Sequence, residues 1–182
     1  MIRVVTIFGS SRPDPGDPEY ELARRLGKAL AESGYVVCNG GYAGVMEASA
    51  RGAREAGGHT VGVIAGAFEG KRANRWVAET EECQSLLERM MRLIDRGDAY
   101  VVLKGGTGTL LELAGVWELM NKGMIREKPA VVLGDFWNAV LTTLKDELAW
   151  EGNLECTRFV TVALSVEECL TILNAKLGGS HA

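Results

Sequence analysis

The chain has 182 residues, of which 47% are hydrophobic and 24% are charged, and its formal net charge is -4. This length and composition predict one globular domain with a sizeable buried core. The negative charge and the lack of a long basic run argue against nucleic acid as a partner. The densest basic group comprises Lys71, Arg72 and Arg75.

The cysteines and histidines predict neither a metal site nor a disulfide framework. The cysteines are spread without a Cys-x-x-Cys pair, at Cys38, Cys83, Cys156 and Cys169, and neither His59 nor His181 stands beside one. We therefore expect reduced thiols, no metal and a cytoplasmic location. The first residues are too short a run for a signal peptide, and no apolar run is long enough to span a membrane.

Strand and helix patterns alternate along the chain. Apolar runs predict strands at 4–8, 35–38, 59–64, 76–80, 99–103, 129–133 and 159–163. Amphipathic patterns predict helices at 19–33, 45–56, 82–96, 110–122, 136–150 and 166–177. This alternation predicts an α/β fold, a doubly wound parallel sheet with helices on both faces. The domain covers residues 1–177, residues 178–182 form a loose tail, and the irregular segment 65–75 is a candidate rim for a site.

Three glycine-bearing turns follow different predicted strands, at 9–12, 40–44 and 105–109. The carboxyl ends of parallel strands share one edge of the sheet, where ligands of such folds bind. We therefore expect one crevice for phosphate or nucleotide, and the candidate binding residues are Gly9, Ser10, Ser11, Gly40, Gly41, Gly105, Gly106, Thr107, Gly108 and Thr109. For the first two turns, a simple strand-ending turn is an equally good interpretation.

The third turn carries the strongest signal. It stands between a predicted strand and a predicted helix, the geometry in which unpaired N–H groups and the helix dipole hold a phosphate. Glycines there let the backbone approach an anion, and Thr107 and Thr109 add hydroxyl donors. A phosphate cradle followed by the carboxylate of Glu112 suggests an enzyme that acts on a nucleotide or sugar phosphate.

Glu112 has two compatible interpretations. The spacing Thr109-x-x-Glu112 is that of a capping box, which requires no function. The carboxylate is also suited to orient or deprotonate a water, or to stabilise positive charge that develops on a sugar.

Arg89 lies on a predicted helix, just off the apolar stripe formed by Leu86, Leu87, Met90, Met91 and Ile94. A solvated face is the default interpretation of such an arginine, and the pattern does not separate it from Arg92 or Arg96. The methionine-rich stripe is typical of core packing first and of a subunit contact second.

Two other chemistries receive little support from the residues. The first predicted strand is not followed by Gly-x-Gly-x-x-Gly, which argues against a bound dinucleotide. Cys38 ends a strand, but no histidine partner is apparent, so a packed thiol is favoured over a nucleophile.

Residues 105–112, Gly-Gly-Thr-Gly-Thr-Leu-Leu-Glu, resemble the signature Pro-Gly-Gly-x-Gly-Thr-x-x-Glu of the LOG (Lonely Guy) family, with Lys104 in place of the proline. Residues 40–48 are similar to the family's Gly-Gly-Gly-x-x-Gly-Leu-Met stretch. Residues 86–90, Leu-Leu-Glu-Arg-Met, align with its second signature, Met-His-Glu-Arg-Lys, and the spacing from Arg89 to Glu112 is preserved. The resemblance covers roughly residues 4–150.

The LOG family consists of cytokinin-activating phosphoribohydrolases that were long mislabelled as lysine decarboxylases. The resemblance implies a Rossmann-like fold, a homodimer, no cofactor, and Glu112 and Arg89 as the catalytic pair. It implies hydrolysis of the N-glycosidic bond of a nucleoside 5′-monophosphate to free base and ribose 5-phosphate.

Two alternatives remain at the level of the sequence. The wider superfamily also contains non-catalytic proteins that bind or carry a nucleotide or the molybdenum cofactor. A lysine decarboxylase would need pyridoxal phosphate on a lysine. Lys104 and Lys122 flank the predicted site, but nothing positions either against a cofactor ring.

Overall fold

The computed structural model describes residues 2–66 and 72–178, and within them seven parallel strands form one sheet. The strands are β1 (Val4–Phe8), β2 (Val36–Asn39), β3 (Thr60–Ala65), β4 (Glu79–Cys83), β5 (Ala99–Val102), β6 (Ala130–Leu133) and β7 (Val160–Ala163). The helices are α1 (Pro18–Glu32), α2 (Val45–Glu55), α3 (Leu86–Arg96), α4 (Thr107–Asn121), α5 (Asn138–Trp150) and α6 (Val166–Gly178), with a 3₁₀ helix at Leu154–Phe159.

The strand order is β4-β3-β2-β1-β5-β6-β7, so the direction of winding reverses between β1 and β5. The register places Thr6 beside Cys38 on one side and beside Tyr100 on the other. The predicted doubly wound parallel sheet is therefore confirmed. In such sheets the reversal opens a crevice beyond the carboxyl ends of the two central strands.

Helices cover both faces of the sheet. One apolar cluster joins the sheet to α1, α2 and α6, and includes Tyr20, Leu26 and Leu173. The other joins it to α3, α4 and α5, and includes Leu93 and Trp117. The central strands are buried on both sides, which explains their continuous Val- and Ile-rich sequences. The two helices that carry Arg89 and Glu112 thus lie on the same face.

The predicted strand at 76–80 is wrong in position. The strand β4 covers Glu79–Cys83, which pairs with β3 only and leaves its charged side chains at an exposed edge. Charged residues on an edge strand discourage pairing with another chain. Because they interrupt the apolar pattern, a prediction based on apolar runs does not detect such a strand. Val77, which precedes this strand, packs against Gly62 and fills the space that a side chain at position 62 would need.

Helix starts also differ from the prediction. α3 begins at Leu86 rather than 82, because the Ser85 hydroxyl accepts a hydrogen bond from the Glu88 N–H at 3.1 Å. α4 begins at Thr107 rather than 110, so part of the predicted turn is its first turn.

Gly178 is the last residue of α6, and the rest of the predicted tail lies outside the described residues. The same is true of residues 67–71 of the predicted rim. Among the helices described, none is long and apolar enough to cross a membrane.

Candidate active site

The three glycine-bearing turns meet at the point where the winding reverses. The Ser10 N–H donates to the Lys104 carbonyl at 3.1 Å, which links the turn after β1 to the turn after β5. The Ser10 carbonyl accepts from the Val45 N–H at 2.9 Å, which links the same turn to the start of α2. Gly44 has a φ of +68°, and a Cβ there would collide with the backbone of Ser10 and Ser11. The backbone itself therefore holds the three turns together.

The start of α4 is open. Gly106 is its N-cap residue, and no side chain caps the first turn. The first N–H groups of a helix have no partner within the helix, so those of Thr107, Gly108 and Thr109 are available to a ligand. A Cβ built on Gly106 or Gly108 would meet nothing within 4 Å, so both glycines border free space. This is the local geometry of an anion site.

The capping-box interpretation of Thr109 and Glu112 is wrong. Because α4 starts at Thr107, Thr109 is already inside the helix, where it is buried and packs against Gly105. Glu112 therefore has no cap to complete. Capping boxes of this kind occur instead at Ser85 with Glu88 in α3, and at Ser165 with Glu168 in α6.

Glu112 is half-buried on the second turn of α4. Among the residues that the structure describes, its carboxylate accepts no hydrogen bond and forms no ion pair. Burial raises the pKa of Glu112 to about 7, and the positive charge of Arg89 acts against this rise. An unpartnered carboxyl group with a pKa near neutrality is suited to acid–base chemistry.

The interpretation of Arg89 as a solvated residue is also wrong, since only 7% of it is exposed. Its Nε donates to the Val63 carbonyl at 2.8 Å, and an Nη atom donates to the Gly40 carbonyl at 3.1 Å. The guanidinium lies 5.4 Å from the centre of the Tyr42 ring. A Cβ on Gly40 would overlap this guanidinium, so glycine is required there for a steric reason. The ends of β2 and β3 thus hold Arg89 in one position.

Two asparagines that sequence reasoning missed fix the turn after β2. Asn39 is fully buried, and its Oδ1 accepts from the Gly41 N–H at 2.8 Å. The Asn74 side chain donates to the carbonyls of Gly41 and Tyr42, at 3.1 and 2.8 Å. Gly41 has a φ of +75°, a conformation that glycine adopts without strain. The only signal in the sequence was that Asn39 directly precedes a glycine pair.

Lys104, which stands in place of the signature proline, pairs with a residue of α1. Its Nζ donates to Glu19 at 2.6 Å and lies 5.7 Å from the centre of the Phe136 ring. With Ser10, Arg12 and Gly105, these residues line a cleft of about 290 Å³. Lys104 is therefore engaged with α1 in this structure rather than with the open start of α4.

The apolar stripe of α3 is only partly core. Leu93 and Ile94 are fully buried. By contrast Leu86, Leu87 and Met91 are 47%, 64% and 37% exposed. On the neighbouring helix Leu111, which precedes Glu112, is 45% exposed. Exposed apolar side chains thus flank both members of the predicted catalytic pair.

The remaining candidates for chemistry are inert. Cys38 is fully buried, and burial raises the pKa of its thiol to about 12. No group of three or more His, Cys, Asp or Glu side chains that suits a metal ion occurs in residues 2–66 and 72–178. The interpretation of Cys38 as a packed thiol thus agrees with its position in the core.

Comparison with known proteins gives the class of protein that this fold and crevice define. Residues 2–150 match the model of the SLOG cluster4 family. The chain is 39% identical over 151 residues to a protein of Mycobacterium marinum, covering 81% of this chain and 77% of that protein. It is 35% identical over 159 residues to one of Mycobacterium tuberculosis, covering 86% and 81%. Both relatives are named cytokinin riboside 5′-monophosphate phosphoribohydrolase.

The chain belongs to the SLOG cluster4 family, and the resemblance to LOG proteins is confirmed. Solved structures agree on the fold. The molybdenum cofactor carrier protein of Chlamydomonas reinhardtii superposes with a TM-score of 0.79 at 23% identity, over 98% of this chain and 99% of that one. The molybdenum cofactor binding protein of Rippkaea orientalis superposes with a TM-score of 0.76 at 22% identity, over 97% and 98%.

Proposed function

We propose that this protein hydrolyses the N-glycosidic bond of a nucleoside 5′-monophosphate, releasing the free base and ribose 5-phosphate. The observation that carries the proposal is Glu112, a half-buried carboxyl group without a protein partner among the described residues. It lies on the same helix whose uncapped start is open to a phosphate. The names of the relatives from two mycobacteria support the same reaction.

The start of α4 supplies binding energy remote from the reacting bond. The N–H groups of Thr107, Gly108 and Thr109 hold the 5′-phosphate, with the dipole of a 15-residue helix behind them. Binding energy from this non-reacting group orients the ribose against the carboxylate.

Glu112 acts on the ribose. Departure of the base builds positive charge on the sugar, and an ionised carboxylate nearby stabilises that charge. The same carboxylate accepts a proton from the attacking water, so that the water oxygen bonds to the anomeric carbon as the bond to the base nitrogen breaks. The bonding electron pair leaves with the base, whose nitrogen then takes up a proton from solvent. A pKa of about 7 lets Glu112 take up this proton at neutral pH.

Arg89 serves chiefly to hold the site in shape. Its guanidinium donates to the carbonyls of Gly40 and Val63, which fixes the turn after β2 next to the crevice. Its charge lowers the pKa of Glu112 against the effect of burial, which keeps more of the carboxylate ionised. The remaining guanidinium N–H groups are available to the ribose or phosphate.

We also propose that the protein forms a homodimer through the exposed apolar side chains of Leu86, Leu87, Met91 and Leu111. Exposed apolar groups on adjacent helices are typical of a protein interface. In this arrangement the partner covers the side of the site that carries Glu112 and shields it from bulk water. Replacement of Leu87 by Glu is expected to give a monomer by analytical ultracentrifugation; a monomeric wild-type protein at micromolar concentration contradicts the interface.

The direct test is incubation with AMP, GMP, CMP, UMP and N6-isopentenyl AMP, with chromatography for the free base. Wild-type protein is expected to release base, and Glu112→Gln to lose at least about 100-fold in rate while it still binds the nucleotide. The matched control is Glu118→Gln, an exposed glutamate of the same helix, which is expected to retain full activity.

The alternative, a binding or carrier protein without turnover, predicts a different result. Nucleotide then binds to wild type and to Glu112→Gln with equal affinity, and no base is released from any substrate. Base release that persists in Glu112→Gln contradicts the role of the carboxylate while leaving the reaction itself in place.

A further inference from the structure

A second cluster of charge lies at the opposite edge of the sheet, where the strands begin. A cleft of about 140 Å³ there is lined by four cationic and two acidic side chains, namely Arg3, Arg126, Lys128 and Lys176 with Asp98 and Glu127. This excess of positive charge contrasts with the net charge of -4 of the whole chain. The volume is several times the roughly 30 Å³ that one water occupies in the liquid, so a polyatomic anion fits.

The two acidic residues are already neutralised by other groups. Asp98 accepts from Arg3 at 3.3 Å and from Arg126 at 3.0 Å, and its other oxygen accepts from the Val4 N–H at 3.0 Å. Glu127 pairs with Arg158 at 3.2 Å, and Arg158 does not line the cleft. Among the described residues, neither Lys128 nor Lys176 forms an ion pair with a carboxylate of the cleft.

Lys128 is a buried cation that the proposed reaction does not use. Only 9% of the residue is exposed, and its Nζ donates to the Ile94 carbonyl at 3.2 Å. The ammonium also lies 5.5 Å from the centre of the Tyr100 ring. An ammonium has three N–H donors, and the described residues provide one hydrogen-bond acceptor for them. A buried charge whose hydrogen bonds are not all made costs free energy. The described residues therefore leave N–H groups of the Lys128 ammonium without an acceptor.

Lys128 shares its one protein acceptor among the described residues with another donor. The Ile94 carbonyl belongs to the last turn of α3 and already accepts from the Tyr100 hydroxyl at 2.7 Å. Lys128 is therefore a second donor to this carbonyl, near the negative end of the α3 dipole. Burial lowers the pKa of Lys128, and the nearby charge of Arg126 lowers it further, whereas Asp98 and Asp95 raise it. A bound anion would reverse this unfavourable environment.

We propose that this cleft at the amino edge of the sheet binds a phosphate group. Lys128 is its buried donor and Lys176 an exposed one, and Arg126 donates through the guanidinium N–H groups that Asp98 does not accept. Ionic hydrogen bonds from several donors are the usual basis of phosphate recognition. Inorganic phosphate and the phosphate of a small monoester offer the same chemistry to these three side chains. The site is separate from the crevice of Glu112, and it does not depend on the proposed reaction.

The test is a titration of the full-length ¹⁵N-labelled protein with inorganic phosphate and, in a second arm, with ribose 5-phosphate, at constant ionic strength set by chloride. Amide shifts report each edge of the sheet separately, so binding at the start of α4 does not mask binding at the cleft. We expect saturable shifts at Asp98, Arg126 and Lys128 with inorganic phosphate. Equal shifts with ribose 5-phosphate identify a cleft that also admits a monoester.

Variants decide whether these side chains are responsible. Arg126→Gln, at an exposed position, is expected to weaken phosphate binding at the cleft about tenfold, and Lys128→Met to abolish it. Lys122→Gln, an exposed lysine at the end of α4, is the matched control and is expected to change nothing. Shifts confined to residues 105–109, shifts that do not saturate, or an unchanged affinity in Arg126→Gln would each overturn the proposal.

Discussion

The starts of α3 and α4 lie on the same face of the sheet but are built in opposite ways. At α3 the Ser85 hydroxyl accepts from the Glu88 N–H, and the Glu88 carboxylate accepts from the Gln84 N–H at 2.8 Å. At α4 a glycine stands at the N-cap and no side chain reaches the first turn. A closed start stabilises the fold, whereas an open one leaves its donors for a ligand.

The largest expected effect comes from closing the open start. Gly106→Asp places a capping carboxylate on α4, in an extended backbone with no atom within 4 Å of the new Cβ. The free energy of unfolding is expected to rise by about 1 kcal/mol, while affinity for a 5′-phosphate falls about 100-fold through competition and repulsion. Calorimetry and nucleotide titration measure the two changes; unchanged affinity would show that the phosphate binds elsewhere.

The second prediction concerns the pH dependence of the reaction. The ionised form of Glu112 is the active one, so kcat/KM is expected to fall about tenfold per pH unit below the pKa of about 7. Initial rates with AMP across this range provide the measurement. The Glu118→Gln variant serves as the reference, since its profile is expected to match that of wild type. An acid limb near the ordinary glutamate pKa of 4.5 would contradict the assignment.

The third prediction follows from the same carboxyl group acting on stability. Its folded-state pKa of about 7 exceeds the ordinary glutamate pKa of 4.5, so its protonated form is favoured by folding. That contribution is complete below the unfolded pKa and is lost as pH rises through the folded pKa. Glu112→Gln is therefore expected to raise Tm above neutral pH and to leave it unchanged in acid. An equal shift at both pH values would contradict this linkage.

The smallest effect is expected at the closed start. Ser85→Ala removes the cap of α3 and is expected to cost about 1 kcal/mol of the free energy of unfolding. Nucleotide affinity is expected to be unaffected, because this cap follows the edge strand β4, whereas the crevice lies between β1 and β5. Denaturant unfolding and nucleotide titration together test whether the starts of α3 and α4 act independently. Weaker nucleotide binding would indicate that the two helix starts are coupled.

Sequence patterns were sufficient for most of the fold and insufficient for the site geometry. The central strands are apolar throughout because both faces are covered, and this pattern is unambiguous. β4 was misplaced because its exposed edge carries Glu79, Glu81 and Glu82, which no apolar pattern detects. The start of α4 was misplaced because Thr107 and Gly108 are typical of turns as well as of first helical turns.

The burial of Arg89 depends on contacts that no local pattern contains. Its acceptors, the carbonyls of Val63 and Gly40, stand 26 and 49 positions away in the sequence. The helical periodicity of the sequence places the residue beside the apolar stripe. It does not show which strands end next to this residue in the fold. Only the resemblance of residues 86–90 and 105–112 to the two LOG signatures pointed to this arginine, together with Glu112.

The overlap between Arg89 and a Cβ at position 40 has an evolutionary consequence. A side chain at position 40 displaces the Arg89 guanidinium. Replacement of Arg89 by a smaller residue leaves a void, and the carbonyls of Val63 and Gly40 lose the donor that they share. Either substitution alone is therefore expected to destabilise the fold, and a substitution at one position is expected to be tolerated only together with one at the other. Gly40 and Arg89 are therefore expected to be energetically coupled. The double variant Gly40→Ala with Arg89→Met is expected to lose less stability than the sum of the losses in the two single variants.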